Sequence, residues 1–404
     1  MIRAPFLFRL ALHYFAMKMT RRISVFLLLI TSLIFSVAGG SADTPAANHK
    51  YLVFVGTYTT KTESKGIYAY EFDSATGKLT PKGVAAETPD PSWVAVHPGG
   101  KFLYAANEAG KASTVSAFAI DAKNGKLTIL NQLPSLGEDP CYLSFDKTGK
   151  YVLVANYSSG TIAVFPILAD GRLGEHTAML KDQGATGPNK ERQEGPHAHW
   201  IEVSSDNRFA FVADLGLDAI LSYRFDASKG SLTPNKPFFL RPLTAGAGPR
   251  HATFSPGGGH FYVLSEINST VTAFAYAPDH GVFGYLGGVP MLPAGFEGRN
   301  DAAEIAIHQS GKWLFASNRG HDSIAVFSID PASGKLTAAG GFPTGGREPR
   351  HFALDPTGQY LLAENQLSGN IVEFRIDPAT GKLTATGEVL QVPSPVCVAF
   401  LVKR

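Results

Sequence analysis

The sequence predicts an all-β fold, a seven-bladed β-propeller with four-stranded blades, and three observations lead there. A pattern of apolar alternation returns about every 50 residues from residue 51 onward. The composition is rich in turn formers, with 42 Gly and 26 Pro, and no apolar stripe of helical period runs for any length after residue 50. The repeat also begins and ends on half units that complete each other.

Each unit opens, usually on Pro, with two variable residues and an apolar alternation, turns at a Gly-bearing polar group, and continues as an apolar run ending in Asn or Asp. Pro91 to His97 thus leads through Pro98, Gly99 and Gly100 into Lys101 to Asn107. Further units open at Pro140, Ala198, Pro249, Ala302 and Pro349, giving steps of 49, 58, 51, 53 and 47 residues. Most continue into a third alternation and a Gly-Lys-Leu turn, as in Ser116 to Asp121 with Gly125 to Leu127, and Ala325 to Asp330 with Gly334 to Leu336. Period-2 runs between Gly, Asn and Asp turns read as four short strands per unit. At the ends, Tyr51 to Gly56 is a second strand with no first, and Pro395 to Phe400 is a first strand with nothing after it. Joined, they form a seventh blade whose innermost strand comes from the C-terminus, which removes exposed sheet edges. A β-helix or a sandwich leaves the split unit unexplained.

Residues 1–42 read as targeting sequence with an upstream extension. Lys18, Arg21 and Arg22 precede an apolar run from Ile23 to Ala38, and Gly39, Gly40, Ser41 and Ala42 follow. This is the order of a secretory signal, with cleavage expected after Ala38 or Ala42. The run of 16 residues is short for a membrane span. A linker over 43–50 and one propeller over 51–404 are expected, in a periplasmic or secreted protein with no stable span after signal cleavage. The net charge of +2, from 36 Lys and Arg against 34 Asp and Glu, argues against a nucleic-acid partner. Cys141 and Cys397 fall in non-adjacent units and are expected as buried thiols. A monomer acting on a small molecule is expected.

In such blades the inner strand starts at the face where its antiparallel neighbour ends, so equivalent positions converge on one mouth of the central channel. The first row of equivalents is Ser92, Cys141, His199, Arg250, Ala303, Arg350 and Val396. The second is Trp93, Tyr142, Trp200, His251, Glu304, His351 and Cys397, and the third is Thr57, Glu108, Tyr157, Leu215, Glu266, Arg319 and Gln366. Neighbouring strand positions are apolar, as in Val94 and Val96 or Ala252 and Phe254. Burying isolated charges costs several kcal/mol each, so the rows imply a solvated mouth, mutual pairing in a self-satisfied plug, or a ligand. Cationic donors outnumber carboxylates, which favours an anionic ligand. His97 and His308 sit at turns and read as turn residues. Trp93, Tyr142 and Trp200 read as packing or as stacking partners for a sugar ring.

Other chemistries find less support. No Gly-x-Ser-x-Gly elbow and no His-Glu-x-x-His occurs. Strand spacing would put His197 and His199 on one face, where a metal is an alternative, and Asp301 with Glu304 is a weak calcium alternative. No Gly-rich phosphate loop joins a strand to a helix. No cofactor and no metal are expected.

Gly56 to Tyr58, Gly66 to Tyr68, Pro91 to Trp93, Val154 to Tyr157, Gly195 to His199, Gly248 to His251 and Ser317 to Arg319 carry a resemblance. Over about residues 50 to 403 the chain resembles the lactonase family of seven-bladed propellers, which includes bacterial propeller-type 6-phosphogluconolactonases and a fungal carboxymuconate cyclase. The resemblance implies metal-independent hydrolysis of a sugar-acid lactone, with His199, Arg250, Glu266 and Arg319 at the family's proposed active-site positions. His199 would be the base, with His197 as the alternative. Arg250 and Arg319 would hold the developing oxyanion and the product carboxylate, and Glu266 would orient them. His197, His251, Arg350, His351, Glu108 and Trp93 would contact the substrate. The secretory signal departs from what an enzyme acting on a cytoplasmic sugar phosphate needs. Two other readings stay open: a lactonising cyclase acting on an unsaturated dicarboxylic acid, and a non-catalytic propeller. In the latter the insertion from Met179 to Glu194, with Lys181, Lys190, Glu191 and Arg192, would be a partner loop or a lid.

Overall fold

Seven four-stranded antiparallel sheets follow one another along the chain in a computed structural model that describes residues 50–240 and 244–402. The expected signal and the linker up to residue 49 lie outside the described residues. Blade 1 joins Lys50–Thr57, Gly66–Asp73 and Lys78–Glu87 to the C-terminal strand Pro395–Leu401. Val53 pairs with Phe400 and Val55 with Val398, so the split unit closes as expected. Blades 2 to 7 span 91–134, 140–181, 198–240, 249–290, 301–343 and 349–391. The first strand begins at Lys50, one residue before the expected start.

Position within a blade decides composition. The second strand of each blade is covered by neighbouring blades on both faces and reads as a continuous apolar run. In Tyr151–Asn156 every residue is buried. The fourth strand meets solvent on one side, and Leu383–Gln391 is mostly exposed or half-exposed. Between blades the apolar side chains interlock: Phe54 and Ile67 of blade 1 pack with Val94, Leu103 and Phe118 of blade 2 and with Cys397. Fully burying a side chain such as Phe54 is worth about 1.5–3 kcal/mol. Cys141 and Cys397 are buried, unpaired thiols, as expected.

The turn histidines tie blades together. His97 accepts the Gly99 N–H at Nδ1 and donates from Nε2 to the Gly149 carbonyl at 2.8 Å; His308 Nε2 makes the same 2.8 Å contact with Gly358.

One departure from regular pairing sets up the site. Near the start of the inner strand of blades 2 to 7 the register shifts, at Pro91/Trp93, Pro140/Tyr142, Ala198/Trp200, Pro249/His251, Ala302/Ile305 and Pro349/His351. Such β-bulges place an extra residue opposite one partner and re-aim side chains. Strict alternation would send neighbouring residues to opposite faces; the bulge lets two successive rows serve the channel. The residue before several of these strands takes a left-handed backbone, as at Gly248 (φ 66°), where the main chain turns sharply into Pro249.

Candidate active site

Glu266 is the centre of the site. It follows the second strand of blade 5, His260–Ser265, and its backbone is pinned on both sides. Its N–H donates to the Gly248 carbonyl at 2.7 Å, and its carbonyl accepts the Ala302 N–H at 3.1 Å. Three guanidinium groups converge on its carboxylate. Arg250 Nε lies 2.8 Å from Oε2, in ion-pair contact but out of line for a hydrogen bond. Arg319 Nη2 lies 3.1 Å from the same oxygen, and Arg192 Nη2 binds Oε1. Burial alone would push the Glu266 carboxyl up, but Arg319, Arg250 and Arg192 together hold it far below the usual carboxylate range. One carboxylate among three guanidinium groups leaves the cluster net cationic, a ready site for a further anion.

The three arginines differ in access. The Arg250 side chain is 2% exposed, Arg319 12% and Arg192 32%. Arg250 Nη1 also donates to the Ala303 carbonyl at 2.5 Å, and Arg319 Nε to the Asp301 carbonyl at 3.1 Å. Arg192 reaches Asp301 Oδ1 at 3.3 Å, and Arg299 holds Oδ2 of the same carboxylate at 2.8 Å. Arg192 comes from the long insertion before blade 4. Of that segment, Ala178–Lys181 is the short fourth strand of blade 3, and the remainder carries Arg192 to Glu266. Gln193 fastens it there by donating to the Leu215 carbonyl at 2.8 Å, and Gly187 N–H donates to Gly216 at 2.9 Å.

The two candidate bases have different surroundings. His197 stacks on Tyr157 with ring centres 4.6 Å apart, and Nδ1 bonds the Tyr157 carbonyl at 3.1 Å. Its Nε2 faces Glu194 at 3.1 Å. His199 Nδ1 lies 3.5 Å from Cys141 Sγ, and Nε2 has no hydrogen-bond partner among the described residues. Burial and the nearby Arg250 hold the His199 imidazole well below its ordinary pKa, so it is neutral at pH 7. Burial pushes the Cys141 thiol up, so it stays protonated.

The remaining expected residues divide between the rim and the channel. Glu108 accepts from the Tyr58 hydroxyl at 2.8 Å and lies 3.9 Å from Arg350, which sits over the Tyr58 ring. His251, His351 and Trp93 lie in the channel. Trp93 presents to both imidazoles at about 5.3–5.4 Å, edge to face, and donates Nε1–H to the Leu143 carbonyl at 3.0 Å. The guanidinium contacts join Arg250, Glu266 and Arg319 into one cluster, and His199 stands next to it across the His251 ring, 5.0 Å away centre to centre.

The metal alternatives find their donors engaged elsewhere. Asp301 is shared by Arg192 and Arg299, Glu304 faces His251 and His351, and His197 and His199 take separate partners. Among the described residues no group of three or more His, Cys, Asp or Glu is arranged to hold a metal ion.

Two residues of the cluster escape a reading by rows. Arg192 carried a signal only as a charge in an over-long step. Glu364 lies in the second strand of blade 7, where the equivalent positions of blades 1 to 6 are Gly56, Ala106, Ala155, Ala213, Leu264 and Ser317. A lone acid among small or apolar residues is the signal that marks it.

Residues 52–400 match the family described as Lactonase, 7-bladed beta-propeller. A 6-phosphogluconolactonase of Bacillus subtilis is 38% identical over 352 residues, 87% of this chain and 99% of its own length. A 6-phosphogluconolactonase of Formosa agariphila is 33% identical over 314 residues, 74% of this chain and 85% of its own length. The solved structure of the Pseudomonas aeruginosa periplasmic gluconolactonase is 33% identical, covers 87% of this chain and 99% of that one, and superposes with a TM-score of 0.83.

Proposed function

The chain belongs to the seven-bladed β-propeller lactonase family, and from that premise we propose that it hydrolyses a sugar-acid lactone at the mouth of its central channel. The observation that carries the site assignment is the grouping of Arg250, Arg319 and Arg192 on Glu266 beside a neutral imidazole, His199, whose Nε2 has no hydrogen-bond partner among the described residues. In this reading the lactone carbonyl points at Arg319 and Arg250. Water attacks the carbonyl carbon while His199 Nε2 takes its proton, and the oxyanion is held by guanidinium groups already in place. The ring C–O bond then breaks, the leaving oxygen takes the proton back from His199, and the new carboxylic acid releases one proton to solvent. Glu266 keeps the arginines oriented without approaching the carbonyl. His197, Arg350, Glu108, His251, His351 and Trp93 are assigned to the walls that hold the rest of the sugar.

A cyclase runs related chemistry backwards, and the excess of arginines suits a dicarboxylate as well as a lactone. One panel separates the two: gluconolactone with and without a 6-phosphate and a galactonolactone, followed by a pH indicator, and a muconate-type acid, followed by product analysis. The lactonase reading predicts acid release from at least one sugar lactone well above the spontaneous rate. Turnover of the muconate alone, or of nothing, would overturn it. The insertion is fastened inward on Leu215 and Gly216, which supports a lid over the mouth better than a displayed partner loop.

Export is part of the same proposal. It rests on the order of basic, apolar and small residues from Lys18 to Ala42, and a relative of similar length is a periplasmic gluconolactonase. Among the described residues no helix is long and apolar enough to cross a membrane. A monomer outside the cytoplasm is expected, checked by fractionation and light scattering.

A further inference from the structure

Behind the arginine cluster the channel holds a second line of polar groups that takes no part in the bond-making and bond-breaking steps proposed above. His251 Nε2 lies 3.3 Å from Arg250 Nη1, and His251 Nδ1 lies 3.0 Å from Glu304 Oε2. His351 Nε2 approaches the same oxygen at 3.6 Å, while its Nδ1 lies 2.6 Å from Glu364 Oε2. All five side chains are buried, and the line runs from Glu364 to Arg250 and so to Glu266, with its one wider step, 3.6 Å, between His351 and Glu304.

Proton positions along this line follow from what each group is able to do. A guanidinium only donates, so His251 Nε2 must accept from Arg250. Burial and Arg250 keep His251 neutral, so its single proton is on Nδ1 and is donated to Glu304. At the far end the Val398 N–H donates to His351 Nδ1 at 3.3 Å, so that nitrogen is an acceptor. Glu364 is fully buried with no Lys or Arg paired to it among the described residues, and burial pushes its carboxyl well above the usual range, so it donates its O–H there. The His351 proton is therefore on Nε2, facing Glu304. Two imidazole N–H groups and, at Oε1, the Ile305 N–H at 2.9 Å all point at one carboxyl group.

We propose that Glu304 is a positioning residue for Arg250: it holds the His251 proton on Nδ1, so that Nε2 accepts from the guanidinium and fixes its orientation. Arg250 is then held on three sides, by Glu266, the Ala303 carbonyl and His251. Its Nη2 has no hydrogen-bond partner among the described residues and is left for the substrate. Glu304→Gln breaks this logic. The amide oxygen has to stay on Ile305 N–H, which turns the NH2 group toward Nδ1. The proton shifts to Nε2, donor meets donor, and Arg250 loses one support.

The direct test is nitrogen NMR of the full chain labelled with 15N-histidine, with His251 assigned through its Phe variant. The wild type should show His251 as the neutral Nδ1–H tautomer, and Glu304→Gln should convert it to Nε2–H. A wild-type His251 protonated on Nε2, or on both nitrogens, would overturn the proposal without Glu304→Gln having to fold. The kinetic arm rests on the lactonase reading. Glu304→Gln should lower kcat by about 10-fold or more with KM little changed, as losses of orienting partners do. In a His251→Phe background the same change should cost less than about twofold, because its route to Arg250 is already cut. Equal losses in both backgrounds would overturn the proposal. A wild type inert toward every lactone would instead discard the functional reading, leaving the NMR result to decide this one.

Discussion

Glu266 and Glu364 are both buried carboxyl groups in one channel, yet they end in opposite protonation states. Glu266 has Arg250, Arg319 and Arg192 around it and stays ionised; Glu364 has one neutral imidazole, His351, for company and stays protonated. Burial is nearly equal, at 3% and 0% exposure, so depth does not decide the charge. Cationic neighbours do. The mouth is built to carry charge and the channel behind it to carry hydrogen bonds, and only the first suits a reaction that develops an oxyanion.

The same substitution should separate the two acids. Glu266→Gln strands three guanidinium groups around an amide, and removing one partner of a buried pair costs about 3–5 kcal/mol. Chemical denaturation should show a loss in that range together with loss of lactone turnover; unchanged stability would mean the arginines do not depend on Glu266. Arg319→Ala leaves Glu266 with two partners, so the fold should survive while kcat/KM on a responsive lactone falls about 100- to 1000-fold. Near wild-type turnover would remove Arg319 from the chemistry.

Glu373 extends the comparison to the seam where blade 7 meets blade 1. It is 1% exposed, Oε2 has no hydrogen-bond partner among the described residues, and burial pushes its carboxyl up to about 7. The folded state therefore holds this proton more tightly than the unfolded chain does. The contribution of this group to stability is greatest below about pH 4.5, falls as pH rises, and is lowest above 7, a difference of roughly 3 kcal/mol. Glu373→Gln should raise Tm at pH 8 and leave it nearly unchanged at pH 4.5. An equal shift at both values would show that the group does not titrate in this window.

The smallest effect is expected at Glu364→Gln. An amide N–H replaces the acid O–H toward His351, so stability should change by less than about 1 kcal/mol and turnover by less than about twofold. A large loss would mean that Glu364 is charged, and the contrast with Glu266 would collapse.

How much of this was legible in sequence depended on range. The blades were, because each is a local pattern of alternation and turns, and the closing strand followed from two half units. The rows that hold Arg250, Glu266, Arg319 and His199 were legible as aligned positions. Their contacts were not, because the bulge at Pro249/His251 breaks the alternation that fixes which way a strand residue points. Arg192 meets Glu266 across 74 residues, from an insertion whose charges look alike until it folds. Glu364 looked like part of an apolar run, and only the His351 ring opposite gives it a purpose.

A crystal structure of the protein with an aldonic acid, the product of the proposed reaction, tests the central claim most directly. The acid's carboxylate should bind at Arg319 and the free Arg250 Nη2, with His199 Nε2 within about 3 Å of it. A carboxylate seated anywhere else, with the arginines still closed on Glu266 and His199 out of reach, would contradict the account.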